Sequence, residues 1–122
     1  MTDGPAVVRL VHNESGHTLA ERVEVARSTR ARMRGLLGRT GLPPGAGMMI
    51  ERCSSIHTCF MKFALDVVFL DSGLMVRKIV RDLRPWRFAM SPGACYAVEL
   101  PAGALSRAPL APGDTLRVEE RP

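Results

Sequence analysis

Val67, Val68, Phe69 and Leu70 follow one another without a polar interruption, directly after Asp66. A strand turns successive side chains to opposite faces, so a run that is apolar on both parities must be buried on both sides. Any fold for this chain has to supply cover above and below that strand. The other apolar segments are short or alternating and rich in β-branched residues, at 7–11, 18–25, 48–50, 55–61, 74–83, 96–100 and 115–118. That pattern predicts short strands. Ser72 and Gly73 offer a tight hairpin turn between two of them, with glycine supplying positive φ, and Pro112, Gly113 and Asp114 offer a turn before the last.

A single helix is predicted over 29–37, with Ser28 placed to accept a hydrogen bond from an amide of its first turn. Met33, Leu36 and Leu37 share a face at i, i+3 and i+4 spacing, while Arg30 and Arg34 flank that stripe with Arg27 nearby. Gly35 and Gly38 end the helix, and the stretch GLPPGAG at 41–47 cannot continue it. Eight short strands and one helix predict a mostly β protein, a small β-sandwich or partly closed barrel. A length of 122 residues with 46% hydrophobic content fits a single domain over 1–122, with one core.

The net charge of +5 is unevenly spread. Arg27, Arg30, Arg32, Arg34 and Arg39 lie between Glu24 and Glu51 with no acidic residue among them, and elsewhere twelve basic residues meet twelve acidic ones. Arg27, Arg30 and Arg34 form a candidate patch for an anion or an acidic protein partner. Nucleic acid is the weaker expectation, because aromatic residues are only 5% of the chain and no recognition motif is present. The three cysteines, Cys53, Cys59 and Cys95, have no CxxC spacing, which argues against a disulfide framework or a zinc knuckle. No apolar window approaches the roughly 18 residues of a membrane span, and the N-terminus turns polar before a signal-peptide core forms. A cytoplasmic location is the expectation from the sequence as it stands.

The chemistry-bearing residues gather in SIHTCFMKFALD, positions 55–66. An extended 55–61 would set His57, Cys59 and Met61 on one face and Ile56, Thr58 and Phe60 on the other. Ile56 and Phe60 then predict the core side, and His57, Cys59 and Met61 the lining of a cavity. Asp66 is either a carboxylate near His57 or an acceptor for backbone amides at the turn into its strand, the commoner use. His57 itself is either a hydrogen-bonded structural residue or a ligand-binding or acid/base group. Glu99 sits inside the apolar run YAVEL, pointing to solvent or meeting His57 across the sandwich. Trp86 is either a wall for a ligand or a ring sealing a core edge, the latter being commoner.

The words GLLGRTGLPPGAGMMIE, SIHTCFMKFALDVVFLD and YAVELPAG together resemble the prokaryotic family known as domain of unknown function 192, over about residues 27–117. The resemblance implies a jelly-roll-like β fold with a short helix and no assigned activity. It also implies a signature made of His57, Thr58, Met61, Leu65, Asp66 and Glu99. Relatives are often exported, which sets the resemblance against the cytoplasmic expectation.

Four functions follow from these residues. The first is a small-molecule or peptide binding module with a pocket near His57 and Asp66, rimmed by Thr58 and Glu99, with Trp86 as a wall. The second is an enzyme with His57 as general base, oriented by Asp66 or Glu99, and Cys59 as a nucleophile, although no catalytic motif such as GxSxG or HExxH appears. The third is a soft-metal site from Cys53, His57, Cys59 and Met61, whose spacing matches no closed site. Nucleic-acid binding comes last. No cofactor is implied.

Overall fold

The computed structural model describes residues 6–28, 31, 35–107 and 109–120. Among the described residues there are nine strands: β1 Ala6–His12, β2 Thr18–Ala26, β3 Ala46–Glu51, β4 Ser55–His57, β5 Leu65–Leu70, β6 Val76–Leu83, β7 Phe88–Met90, β8 Tyr96–Pro101 and β9 Leu116–Glu120. Seven of them form one curled sheet in the order β6-β5-β8-β3-β2-β1-β9, while β4 and β7 pair separately. All neighbours are antiparallel except β2 and β3, which run parallel. The two edges of the large sheet meet at one end. Met75 bridges Thr115, the Val76 N–H donates to the Asp114 carbonyl at 2.8 Å, and the Leu116 N–H donates to the Leu74 carbonyl at 2.9 Å. Of the two predicted architectures, the partly closed barrel is the one formed.

All six residues of β5 are buried, as its unbroken apolar run requires. Val68 and Leu70 face a cluster to which all seven large-sheet strands contribute, with Leu10, Val23, Met49, Val98 and Leu116 among its members. Leu65, Val67 and Phe69 face the opposite side, where the β4–β7 pair and Leu36 cover them through Ile56, Ala89 and Met61. The small sheet is therefore the second layer. Close approach between β3 and β8 depends on Gly47, since a Cβ there would come within 2.9 Å of the Glu99 carbonyl oxygen and 2.8 Å of Leu100 Cδ2.

Asp66 braces the barrel end. Its register neighbours show that β6 bulges opposite it, between Val80 and Leu83. The Asp82 N–H freed by that bulge donates to Asp66 Oδ1 at 2.9 Å, and the N–H groups of Gly103 and Leu105 donate to Oδ2 at 3.1 and 3.0 Å. Those two amides belong to the bend after β8 and to the 3-10 turn Ala104–Arg107, which plugs the barrel with Leu105. Asp66 thus takes the backbone-amide role, reaching three separated amides instead of only its own turn.

Several local expectations change. The strand predicted over 55–61 stops at His57, because residues 58–61 turn, with Phe60 at φ 66°. The alternation inverts beyond that point, leaving Phe60 exposed and Met61 in the core. β7 carries too few residues between its flanking turns for any periodicity, and the sequence did not predict it. At the β5–β6 hairpin the positive φ falls on Leu74, at 63°, while Asp71 Oδ1 accepts the N–H groups of Gly73 and Met75. Ser28 does cap as expected, its Oγ accepting the Ala31 N–H at 3.0 Å. The predicted helix does not run to Leu37, because residues 35–37 form a turn; Arg30, Met33 and Arg34 lie outside the described residues.

Asp66→Ala strands three buried or half-buried amides at once, and such groups cost about 1–3 kcal/mol each when unsatisfied. Urea titration should show a loss of several kcal/mol, and a loss below about 1 kcal/mol would refute the brace. Gly47→Ala should also destabilise, by about 1–3 kcal/mol, through overpacking against backbone.

Candidate functional site

β8 alternates, so Val98 and Leu100 enter the barrel while Ala97 and Glu99 face the layer under the small sheet. In cross-strand register Glu99 lies between Met48 of β3 and Val67 of β5. Both neighbours are apolar, and among the described residues no side chain donates a hydrogen bond to Glu99 Oε1. The carboxylic side chain is 5% exposed, and its Oε1 is buried with no hydrogen-bond partner. Desolvation alone pushes this carboxyl up from 4.5 to about 7.

A cleft of about 290 Å³ opens beside Glu99. Its walls are Leu36, Leu37, Ile50, Ile56 and Met61, with Gly35, Cys53, Ser55 and His57 completing the lining. Gly35 adopts φ 49°, and a Cβ there would sit 3.9 Å from Glu99 Oε1, so the glycine forms wall close to the carboxyl. His57 is exposed on β4, its Nδ1 accepting the Cys59 N–H at 3.3 Å. That contact fixes the ring against its own turn. Cys53 Sγ donates to the Ser55 carbonyl at 3.1 Å.

Of the residues singled out in the sequence, His57 and Glu99 share this cleft, and Asp66 and Thr58 do not line it. Asp66 points to the barrel end. Thr58 is fully buried and ties two turns together, its Oγ1 donating to the Arg84 carbonyl and accepting the Arg87 N–H at 2.8 Å. Trp86 neither lines the cleft nor seals a core edge: it is 58% exposed and packs on Phe60, ring centroids 4.7 Å apart. Cys53 and Met61 line the cleft, whereas Cys59 does not. No local pattern marked Gly35, Leu36, Ile50 or Ser55 as cleft residues, because the cleft joins the 35–37 segment, β3, β4 and β8. Glu99 inside YAVEL, with His57, Cys53 and Met61, is what the candidate residues of the sequence have in common with the cleft.

The soft donors do not form a compact set. Among the described residues, the three-residue group of His, Cys, Asp or Glu donors within 4.8 Å of one another is His12, Glu14 and Asp114, at the barrel closure. Its atoms are already engaged: His12 Nε2 meets Asp114 Oδ2 at 2.8 Å, His12 Nδ1 meets Ser15 Oγ at 2.6 Å, and Glu14 accepts the Thr115 N–H. The group sews β1 to the turn before β9. In the arginine segment, Arg27 pairs with Glu51 at 3.1 Å and Arg39 with Glu24 at 2.8 Å. The two glutamates flanking the segment thus fold back onto it, and Arg30 and Arg34 lie outside the described residues. Among the described residues no helix is long and apolar enough to cross a membrane.

Comparison with known proteins places residues 10–118 against the family DUF192, described as "Uncharacterized ACR, COG1430". A UPF0127 protein of Thermococcus sibiricus is 33% identical over 105 residues, covering 79% of this chain and 65% of that protein. Another, from Pyrococcus furiosus, is 39% identical over 64 residues, covering 52% of this chain and 54% of its own length. The chain thus spans less than two thirds of either relative. A Sinorhizobium meliloti crystal structure described as a "putative transcription regulator" is similar at a TM-score of 0.81, with 28% identity, covering 97% of this chain and 98% of that one. A Novosphingobium aromaticivorans protein of unknown function shares the fold at a TM-score of 0.77, with 23% identity, covering 91% and 83% of the two chains.

Burial of Glu99 sets a pH dependence. The folded carboxyl titrates near 7 and the unfolded one near 4.5, so between those values the folded state holds a proton that the unfolded state has released. Stability should fall as pH rises through that window and level off above it, by on the order of 3 kcal/mol in all. Glu99→Gln should lack this slope and be the more stable protein at pH 8. Denaturant titrations from pH 5 to pH 8 would show it, and parallel curves for the two proteins would contradict it.

Proposed function

The chain belongs to the DUF192 family, and we propose that it is a small-molecule or peptide binding module whose recognition group is Glu99, with His57 at the rim of the cleft. The observation that carries this is the orphaned Glu99 Oε1, buried against a cavity and, among the described residues, without a hydrogen-bond donor. A buried acceptor costs free energy unless something satisfies it, and a donor carried by a ligand in the cleft would do so. The apolar walls suit the carbon skeleton of a small ligand, and a cleft of about 290 Å³ limits it to a few heavy-atom groups or one side chain.

A cationic head group fits best. An ammonium or guanidinium would meet Glu99 as a carboxylate, with a charge-assisted hydrogen bond in a low-dielectric site. The carboxyl must then lose its proton on binding, so affinity for a cation falls about tenfold per pH unit below about 7. Acid/base catalysis by the same pair is the second reading, favoured by a carboxyl poised near neutrality in a cleft. It ranks lower because the His57 ring is held by the Cys59 N–H and Glu99 Oε1 has no partner, so no proton path links the two. The regulator description of the Sinorhizobium protein stays with that protein.

Thermal-shift titration with methylammonium, longer alkylamines and guanidinium, against their neutral isosteres, tests the proposal. Amines should raise the melting temperature at pH 8 and less at pH 6, with Glu99→Gln insensitive and His57→Ala weakened. A wild-type protein indifferent to the whole series would count decisively against a cationic ligand.

A further inference from the structure

The corner where the small sheet meets the turn before β7 carries a surface separate from the cleft. Phe60 is 72% exposed, Trp86 58%, Phe88 63% and Met90 46%. Phe88 and Met90 stand two apart on β7 and share its outer face, while Ala89 between them enters the core. Phe60 and Trp86 lean together, their planes tilted by 59°.

Both of these aromatic residues are held in the left-handed region, at φ 66° and 62°. Bulky L-residues avoid that conformation, and it persists only where the surroundings over-determine it. Thr58 supplies the constraint. Its carbonyl accepts the Met61 N–H at 3.0 Å, closing the turn that carries Phe60, and the Trp86 N–H at 3.1 Å. Its own N–H donates to the Arg87 carbonyl at 2.9 Å, and its hydroxyl bonds Arg84 and Arg87 as described. One buried residue therefore clamps both turns and turns two large rings outward, where burial would have been the ordinary outcome.

Cations surround this apolar corner. Lys62, Arg77, Lys78, Arg81, Arg84 and Arg87 are exposed; Asp82 pairs with Arg84, and Asp71 is engaged in its own turn. The Lys78 ammonium donates to the Met90 carbonyl at 2.9 Å, and Arg87 Nη1 donates to the Trp86 carbonyl at 3.3 Å, so one charge lies at exposed Met90 and the other at exposed Trp86. We propose that this corner docks the protein onto an anionic lipid surface, with Phe60, Trp86, Phe88 and Met90 entering the interfacial layer and Lys62, Lys78 and Arg87 meeting headgroup phosphates. Tryptophan and phenylalanine with neighbouring lysine and arginine is the composition that partitions to such an interface. A single-stranded nucleic acid would need free ring faces for stacking, and the tilted pair covers one face with its neighbour. A second copy of the chain would bring the same cations against themselves in a two-fold contact.

Trp86 is the chain's single tryptophan, so its emission reports this corner directly. Vesicles of phosphatidylglycerol mixed with phosphatidylcholine should shift that emission to the blue and carry the protein into the pellet, with weaker binding at high salt, and pure phosphatidylcholine should do neither. Lys62→Glu with Arg87→Glu should weaken binding by tenfold or more, at roughly fivefold per cation lost. Phe60→Ser with Phe88→Ser should abolish it, both being exposed residues whose replacement leaves the melting temperature close to wild type. Failure to bind either vesicle overturns the proposal. So does an emission change with oligothymidine but not with vesicles, or a blue shift that follows protein concentration alone.

Discussion

Burial of β5 on both faces is the constraint from which the architecture follows. One face of the strand is covered by the curl of its own sheet, which brings β1, β2, β8 and β9 residues over Val68 and Leu70. The other face needs a separate layer, and the β4–β7 pair with Leu36 supplies it. The same two-sided demand creates the cleft. A small sheet of two three-residue strands cannot cover the whole outer face, and the uncovered margin lies over Glu99.

Three buried polar groups show how differently one chain can use them. Asp66 accepts three amides and holds the barrel end, and Thr58 saturates its hydrogen-bonding capacity between two turns. Glu99 alone has an oxygen left over. A satisfied buried group stabilises, whereas an unsatisfied one costs on the order of 1–3 kcal/mol, so the contrast separates braces from a candidate recognition group. Burial by itself does not make that distinction, because all three are 5% exposed or less.

Charge tells a similar story. The arginine segment drew notice as an uninterrupted run, yet Arg27 and Arg39 are neutralised by glutamates from either end of it. The cations of β6 and the turn after it are diluted along the sequence by apolar residues and by Asp66, Asp71 and Asp82. Folding withdraws Asp66 and Asp71 into hydrogen bonds and leaves positive charge beside exposed Met90 and Trp86.

The period-two alternation and the turn residues determined that this chain is mostly β, and the unbroken Val67–Leu70 run determined that a second layer must exist. Those features are local, written into neighbouring residues by the geometry of a single strand. The family resemblance pointed to His57, Thr58, Asp66 and Glu99 as one group, but it could not say which of them meet. Only the tertiary structure decided that Asp66 and Thr58 are braces while His57 and Glu99 share a cleft with Cys53, through a β6 bulge, a strand ending at His57 and the β3-β8-β5 register. Each of those depends on hydrogen bonds between segments tens of residues apart, which no local pattern encodes.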